Sequence, residues 1–128
     1  RNNRPAQGYY FVPGGRILKN EFFSDAFIRL VECELGVESL PKVNRFLGVY
    51  QHFYSDGFAE KSTSTHYIVL AYELLLDEFH ENFPNLQHSE YHWWDETELL
   101  VDVSVHSHTK WYFQEGKKAD ASLLGVVQ

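Results

Sequence analysis

The most regular apolar pattern in the chain runs from Phe22 to Leu35. At about 100° per residue, Phe23, Ala26, Phe27, Leu30 and Val31 fall on one side, so the spacing predicts an amphipathic helix over that stretch. Gly36 follows where a left-handed residue commonly closes a helix. Pro41 precludes helix soon after. Aromatic and β-branched runs predict strands at Tyr9 to Val12, Val43 to Phe53, His66 to Leu76 and Tyr91 to Trp94. The run from His66 to Leu76 is almost continuously apolar, which predicts burial on both faces. Pro13-Gly14-Gly15 and Ser55-Asp56-Gly57 read as turns, and the polar stretch from Asp77 to Ser89 as a long loop. Asp95 with Glu98 makes a capping-box pattern for a short helix. A last amphipathic helix is expected from Ser104 or His106, through Trp111 and Phe113, to about Lys118. The sum is an α/β domain with a mixed sheet and helices on it.

Composition narrows this picture. With 128 residues, 44% of them hydrophobic and 16% aromatic, the chain is expected to form a single domain, 1–128, with a real core. No run approaches the roughly 20 apolar residues of a membrane span, and no secretory signal opens the chain, so no membrane partner is expected. The single cysteine, Cys33, precludes an internal disulfide and favours a reducing compartment, the cytoplasm. It reads as an inert buried thiol. A net charge of −7 argues against general nucleic-acid binding. One small anionic ligand remains compatible with it, because a few arginines can be concentrated locally. The polar start Arg1-Asn2-Asn3-Arg4, with no strand or cap before it, leads to the expectation that an N-terminal strand is missing.

On the predicted helix, Glu34 falls in the middle of the apolar side, with Cys33 at its edge and Arg29 beside it. A carboxylate there is costly unless it is paired or bound to a metal. Two readings fit: an ion pair with Arg29 or Arg16, or an oxygen site for Mg²⁺ built with a carbonyl of the Val12-Pro13-Gly14-Gly15 turn.

A family resemblance emerges from the spacing. The stretch from Gly15 to Val37 resembles the Nudix box, G-x5-E-x7-R-E-U-x-E-E-x-G-U, through Gly15, Glu21, Arg29, Val31, Glu34, Gly36 and Val37. Two box glutamates are replaced, by Leu30 and Cys33. The GDP-mannose mannosyl hydrolase branch of the family has this same departure. The similarity to that branch continues through Arg1-x-Asn3-Arg4-Pro5-Ala6-Gln7-Gly8-Tyr9, Phe11-Val12-Pro13-Gly14-Gly15-Arg16, Gln51-His52-Phe53-Tyr54, Thr65-His66-Tyr67 and Gln87-His88 with Tyr91 and Trp93.

The resemblance implies a Nudix fold, a mixed sheet sandwiched between helices. It implies Mg²⁺-dependent cleavage of GDP-α-D-mannose, and of GDP-glucose, to GDP and the sugar by water attack at C1 with inversion. The alternative is a Nudix pyrophosphohydrolase that attacks phosphorus of another nucleoside diphosphate derivative. One Mg²⁺ per subunit would be held by the Gly14 carbonyl, Glu34 and Gln87. His88 would be the general base, and Arg1 and Arg16 would meet the leaving diphosphate. Arg29 would orient Glu34 or touch phosphate, Tyr67 would donate to the diphosphate, and His52 and Tyr54 would lie on the sugar side. Each has a plainer reading: a solvated loop for Gln87, an ion pair with Glu34 for Arg16, a frayed end for Arg1, core packing for Tyr67, His52 and Tyr54. Glu21 reads as structural, and His106 and His108 as helix-surface residues. A homodimer is the family's usual state.

Overall fold

In a computed structural model of the chain, the described residues are 1, 5, 7–37, 41–57, 60–76 and 90–120. The expected loop over residues 77–89, with Gln87 and His88 in it, lies outside them.

The predicted box helix is α1, Phe23–Leu35. It buries Ala26, Val31 and Glu34, the centre of the predicted stripe, while Phe23 at the stripe's first turn is exposed. Gly36 closes it in the left-handed region at φ 70°, its N–H donating to the Glu32 carbonyl. Cys33 is exposed, contrary to the buried thiol expected, because α1 is covered only along the stripe and Cys33 sits past its edge.

Two strands follow, β1 (Lys42–Tyr54) and β2 (Thr65–Leu75), paired antiparallel with Tyr50 opposite Val69 and His52 opposite Tyr67. Successive side chains alternate between faces. Tyr50 and His52 are therefore buried while Gln51 and Phe53 between them face solvent. The register shifts between Val43 and Arg45 and between Phe46 and Gly48, which bends the ribbon. Burial of β2 on both faces does not hold: Ile68 is 62% exposed and Ala71 is its one buried residue. A two-stranded ribbon leaves its outer face open, and a β-branched run is as favourable there as in a covered strand. Of the expected mixed sheet, the described residues hold this antiparallel ribbon and one parallel bridge, between Tyr10 and Val105. Tyr9 to Val12 forms that bridge rather than a full strand, and Tyr91 to Trp94 is irregular.

Two short helices complete the described chain, α2 (Glu96–Val101) and α3 (Ser107–Trp111). Asp95 stands at the N-cap of α2, but its side chain makes no capping hydrogen bond. The last helix is shorter than the pattern suggests. Beyond Trp111, the N–H groups of Phe113 and Gln114 donate to carbonyls three residues back, Lys110 and Trp111, so the coil tightens and ends. Ring contacts tie the parts together: Phe27 of α1 meets Tyr72 of β2 edge-on at 4.9 Å, and Tyr50 of β1 meets Tyr112 at 4.9 Å. The Ala119 N–H donates to the Val49 carbonyl at 2.8 Å. Among the described residues no helix is long and apolar enough to cross a membrane.

Candidate functional site

Two clefts lie on either side of the Tyr10–Val105 bridge. The first, about 170 Å³, is lined by Arg1, Val12, Pro13, Glu34, Glu90 and Tyr91 among others. The second, about 370 Å³, is lined by Tyr9, Tyr54, Asp56, His106 and His108 among others. Neighbours along the chain divide between them: Tyr10 and Val105 face the first, Tyr9 and His106 the second.

α1 places Glu34 in the wall of the first cleft, 7% exposed. Its negative charge, with burial the larger cause, raises the pKa of the Tyr91 phenol. Val12 and Pro13 border the same cleft, and the exposed Gly14 follows directly. The next residue, Gly15, packs closely on the helix. A Cβ on Gly15 would collide with the Leu30 side chain, so the turn lies directly against α1. Among the described residues no three His, Cys, Asp or Glu side chains converge as a metal cage. A buried carboxylate beside an exposed turn backbone is a different donor set, all oxygen, which suits Mg²⁺ sharing its shell with phosphate and water.

Arg1 is held rather than frayed. Its backbone nitrogen donates to the Tyr9 carbonyl at 2.8 Å, and its carbonyl accepts from the Gly8 N–H at 2.8 Å. The guanidinium sits over the Phe11 ring at 5.3 Å, with Nε buried and without a hydrogen-bond partner. A buried donor of that kind, on a permanently charged group, is a ready contact for an anion. Arg16 is exposed, and its carbonyl accepts from Arg29.

Arg29 is engaged with Glu21 and with the turn before α1. Its Nε and Nη2 both donate to Glu21 at 2.8 Å, and Nη2 also reaches the Arg16 carbonyl. Glu21 additionally accepts from the Leu18 N–H. These bonds hold the Glu21 carboxyl down at about 2, the guanidinium being the main cause. The pair fastens the turn after Gly15 to the middle of α1, a structural role consistent with that expected for Glu21.

The second cleft is built from the end of β1, the turn after it and the start of α3, with the inner face of β1 packed behind it. His52 is 4% and His108 6% exposed, and their rings stack at 4.3 Å with 15° between planes. His106 lies 4.7 Å from His108 and stacks on Phe11 at 4.9 Å. Its Nδ1 accepts from the His108 N–H, so that nitrogen carries no proton. Burial pushes both His52 and His108 down to about 4, and neighbouring imidazoles add to it. Tyr54, half-buried, meets His108 edge-on at 4.8 Å and is raised to about 12 by burial. Tyr67, half-buried on β2, lies 6.0 Å from Tyr54.

Of the residues singled out from sequence, the structure brings Arg1 and Glu34 to one cleft, with Gly14 next in the chain after its lining residue Pro13, and Tyr54 to the other, with His52 stacked on the lining residue His108. His106 and His108 were expected on a helix surface; instead His108 stacks on His52, and His106 packs among Tyr9, Phe11 and Tyr54. Their His-x-His spacing after the buried Val105 matches an N-cap and the second residue of α3, both of which turn inward. Glu90, which accepts from the Tyr10 hydroxyl at 2.8 Å, was not singled out, because nothing local marks it.

The NUDIX domain model matches residues 1–114. Over 78 residues the chain is 42% identical to the Low-salt glycan biosynthesis protein Agl8 of Haloferax volcanii, a match covering 61% of this chain and 49% of that protein. The chain thus spans about half the length of the curated relative it matches. A domain match of that extent, over a helix that Gly36 closes, makes this chain a member of the Nudix family.

Proposed function

We propose that the chain is a Mg²⁺-dependent nucleotide-sugar hydrolase that cleaves the glycosidic bond of GDP-mannose, and of GDP-glucose, by water attack at C1 with inversion. One observation carries this reading. Of the three box positions Leu30, Cys33 and Glu34, only Glu34 brings a carboxylate to the cleft. Leu30 is packed against Gly15, and Cys33 faces solvent. Attack on phosphorus by the usual family route uses several box carboxylates, and α1 lacks those two. The name of the Haloferax relative places that protein in glycan biosynthesis, with which a nucleotide-sugar substrate is in keeping.

In this reading Glu34, the Gly14 carbonyl and Gln87 hold Mg²⁺, which when bound supplies Lewis-acid stabilisation of the leaving diphosphate. Arg1, with its unpartnered buried Nε, and Arg16 bind the diphosphate oxygens. Charge grows on those oxygens as the bond to C1 breaks, so the arginine contacts strengthen in the transition state. Tyr67 donates a further hydrogen bond there. His88 takes the proton of the attacking water, on the face of the sugar away from the leaving group. GDP leaves as an anion and needs no proton. The protein acts as a cytoplasmic homodimer, a state that sedimentation would check.

Hydrolysis of GDP-mannose in ¹⁸O-water decides the reaction. Label is expected in mannose, with none in GDP, and turnover is expected to be lost in His88→Gln while Mg²⁺ binding stays. Label in a phosphate product would overturn the reading in favour of attack on phosphorus.

A further inference from the structure

We propose that His106 and His108, carried by α3 against His52 and Tyr54, are specificity-determining residues of a hexose subsite in the second cleft. The proposal rests on the nucleotide-sugar reading above and names which residues distinguish the sugar.

Three observations converge. First, His52 Nε2 and His108 Nδ1 are buried ring nitrogens with no hydrogen-bond partner among the described residues. Buried polar groups in folded proteins are nearly always paired, so two such atoms, one in a side chain that lines a cleft, point to a ligand that completes them. Second, the chemistry of those atoms selects a hydroxyl. Burial keeps the rings neutral at pH 7. A neutral imidazole has one donor and one acceptor nitrogen, the complement of an O–H that both donates and accepts. Phosphate would instead call for fixed positive charge, which none of the described lining residues carries. A transition metal would call for in-plane lone pairs converging on one point. The His52 and His108 planes lie 15° from parallel at 4.3 Å, so their lone pairs run side by side. Third, Tyr9 and Tyr54 add aromatic surface to the wall, and Asp56 and Ser107 add polar groups. A pyranose ring has one face of C–H groups and an edge of hydroxyls, and a cleft of about 370 Å³ has room for it.

Arg1 connects this cleft to the first. It lines the cavity with Glu34, and its charge reaches across to His106 and Tyr54, lowering both pKa values against the larger effect of burial in Tyr54. A diphosphate held at Arg1 therefore leaves its sugar beside the histidines.

The test compares His108→Phe, His106→Phe and the wild type on GDP-mannose and GDP-glucose. Phenylalanine keeps the ring packing and removes the ring nitrogens. KM for GDP-mannose is expected to rise tenfold or more in His108→Phe, the preference between the two sugars is expected to collapse, and affinity for GDP alone is expected to stay. Unchanged KM and sugar preference in a wild-type-like active variant would overturn the subsite and leave the hydrolase reading intact. Should the variants fold poorly, ¹⁵N ring resonances of His52 and His108 in His88→Gln protein decide: shifts with GDP-mannose but not with GDP support the subsite, and equal or absent shifts overturn it. If those shifts occur while the wild type hydrolyses neither substrate, the hydrolase reading fails and the subsite stands.

Discussion

A Cβ at Gly15 would meet Leu30 Cδ2, the end of a flexible side chain of α1. Gly15→Ala is expected to cost about 1 kcal/mol, the low end of overpacking substitutions, because Leu30 has to turn aside. In denaturant unfolding, Gly15→Ala/Leu30→Ala should lose less than the sum of the two single losses, since the two side chains meet. Strictly additive losses would show that the clash is relieved elsewhere. Glu34 is a second single-residue test. Glu34→Gln keeps the shape and loses the charge, and kcat/KM is expected to fall by more than the roughly 10–100-fold typical of groups behind a metal ligand. Much at this scale was legible beforehand: the burial of Glu34 and the left-handed Gly36 follow from helical spacing, and Gly15 was marked by the resemblance to the box. Cys33 was misread because a helical wheel gives direction but not how wide a stripe the neighbours cover. The pairing of Arg29 with Glu21 was not legible, because Glu21 lies outside the helix on a turn whose path is not periodic.

Among the elements, α1 shows how well a long period survives into structure. Its predicted bounds differ from Phe23–Leu35 by one residue, and the left-handed Gly36 ends it as expected. Gly36→Ala is expected to cost about 1 kcal/mol, the penalty of placing a Cβ at positive φ, and to fray the last turn that carries Glu34. Amide hydrogen exchange at Cys33 to Leu35 would register that fraying, and unchanged protection would count against it. Shorter elements were less legible. The aromatic run Tyr91 to Trp94 has strand composition, but its rings are used as cleft wall, with Trp94 edge-on to Tyr10 at 5.6 Å. The last helix stops at Trp111 because its hydrogen bonds tighten, which apolar periodicity does not register.

For the whole molecule, acid sensitivity should fall into two ranges. His52 and His108 titrate near 6.5 in an unfolded chain and near 4 in the fold. Between those values the unfolded chain binds more protons, so stability rises with pH. The contribution of the neutral rings is complete above about pH 6.5 and is lost as pH falls towards about 4. Glu21 acts lower: its folded value near 2 lies below the usual 4.5, so its contribution goes as pH falls through that interval. Tm measured from pH 7 to 2 is therefore expected to decline in both ranges. His108→Phe should flatten the upper one and Glu21→Gln the lower one. A Tm constant from pH 7 to 4 would contradict the buried neutral stack. None of this was readable from seven histidines scattered along the chain, because the stack joins β1 to α3 across more than fifty residues of sequence.

The contact between Gly15 and Leu30 also bears on how this member of the family can change over time. A glutamate at position 30 would restore the letter of the box, but its side chain would start in the space where Leu30 now lies close to Gly15. Leu30→Glu alone is therefore expected to shift the turn, so that position 30 and the path of the turn change together.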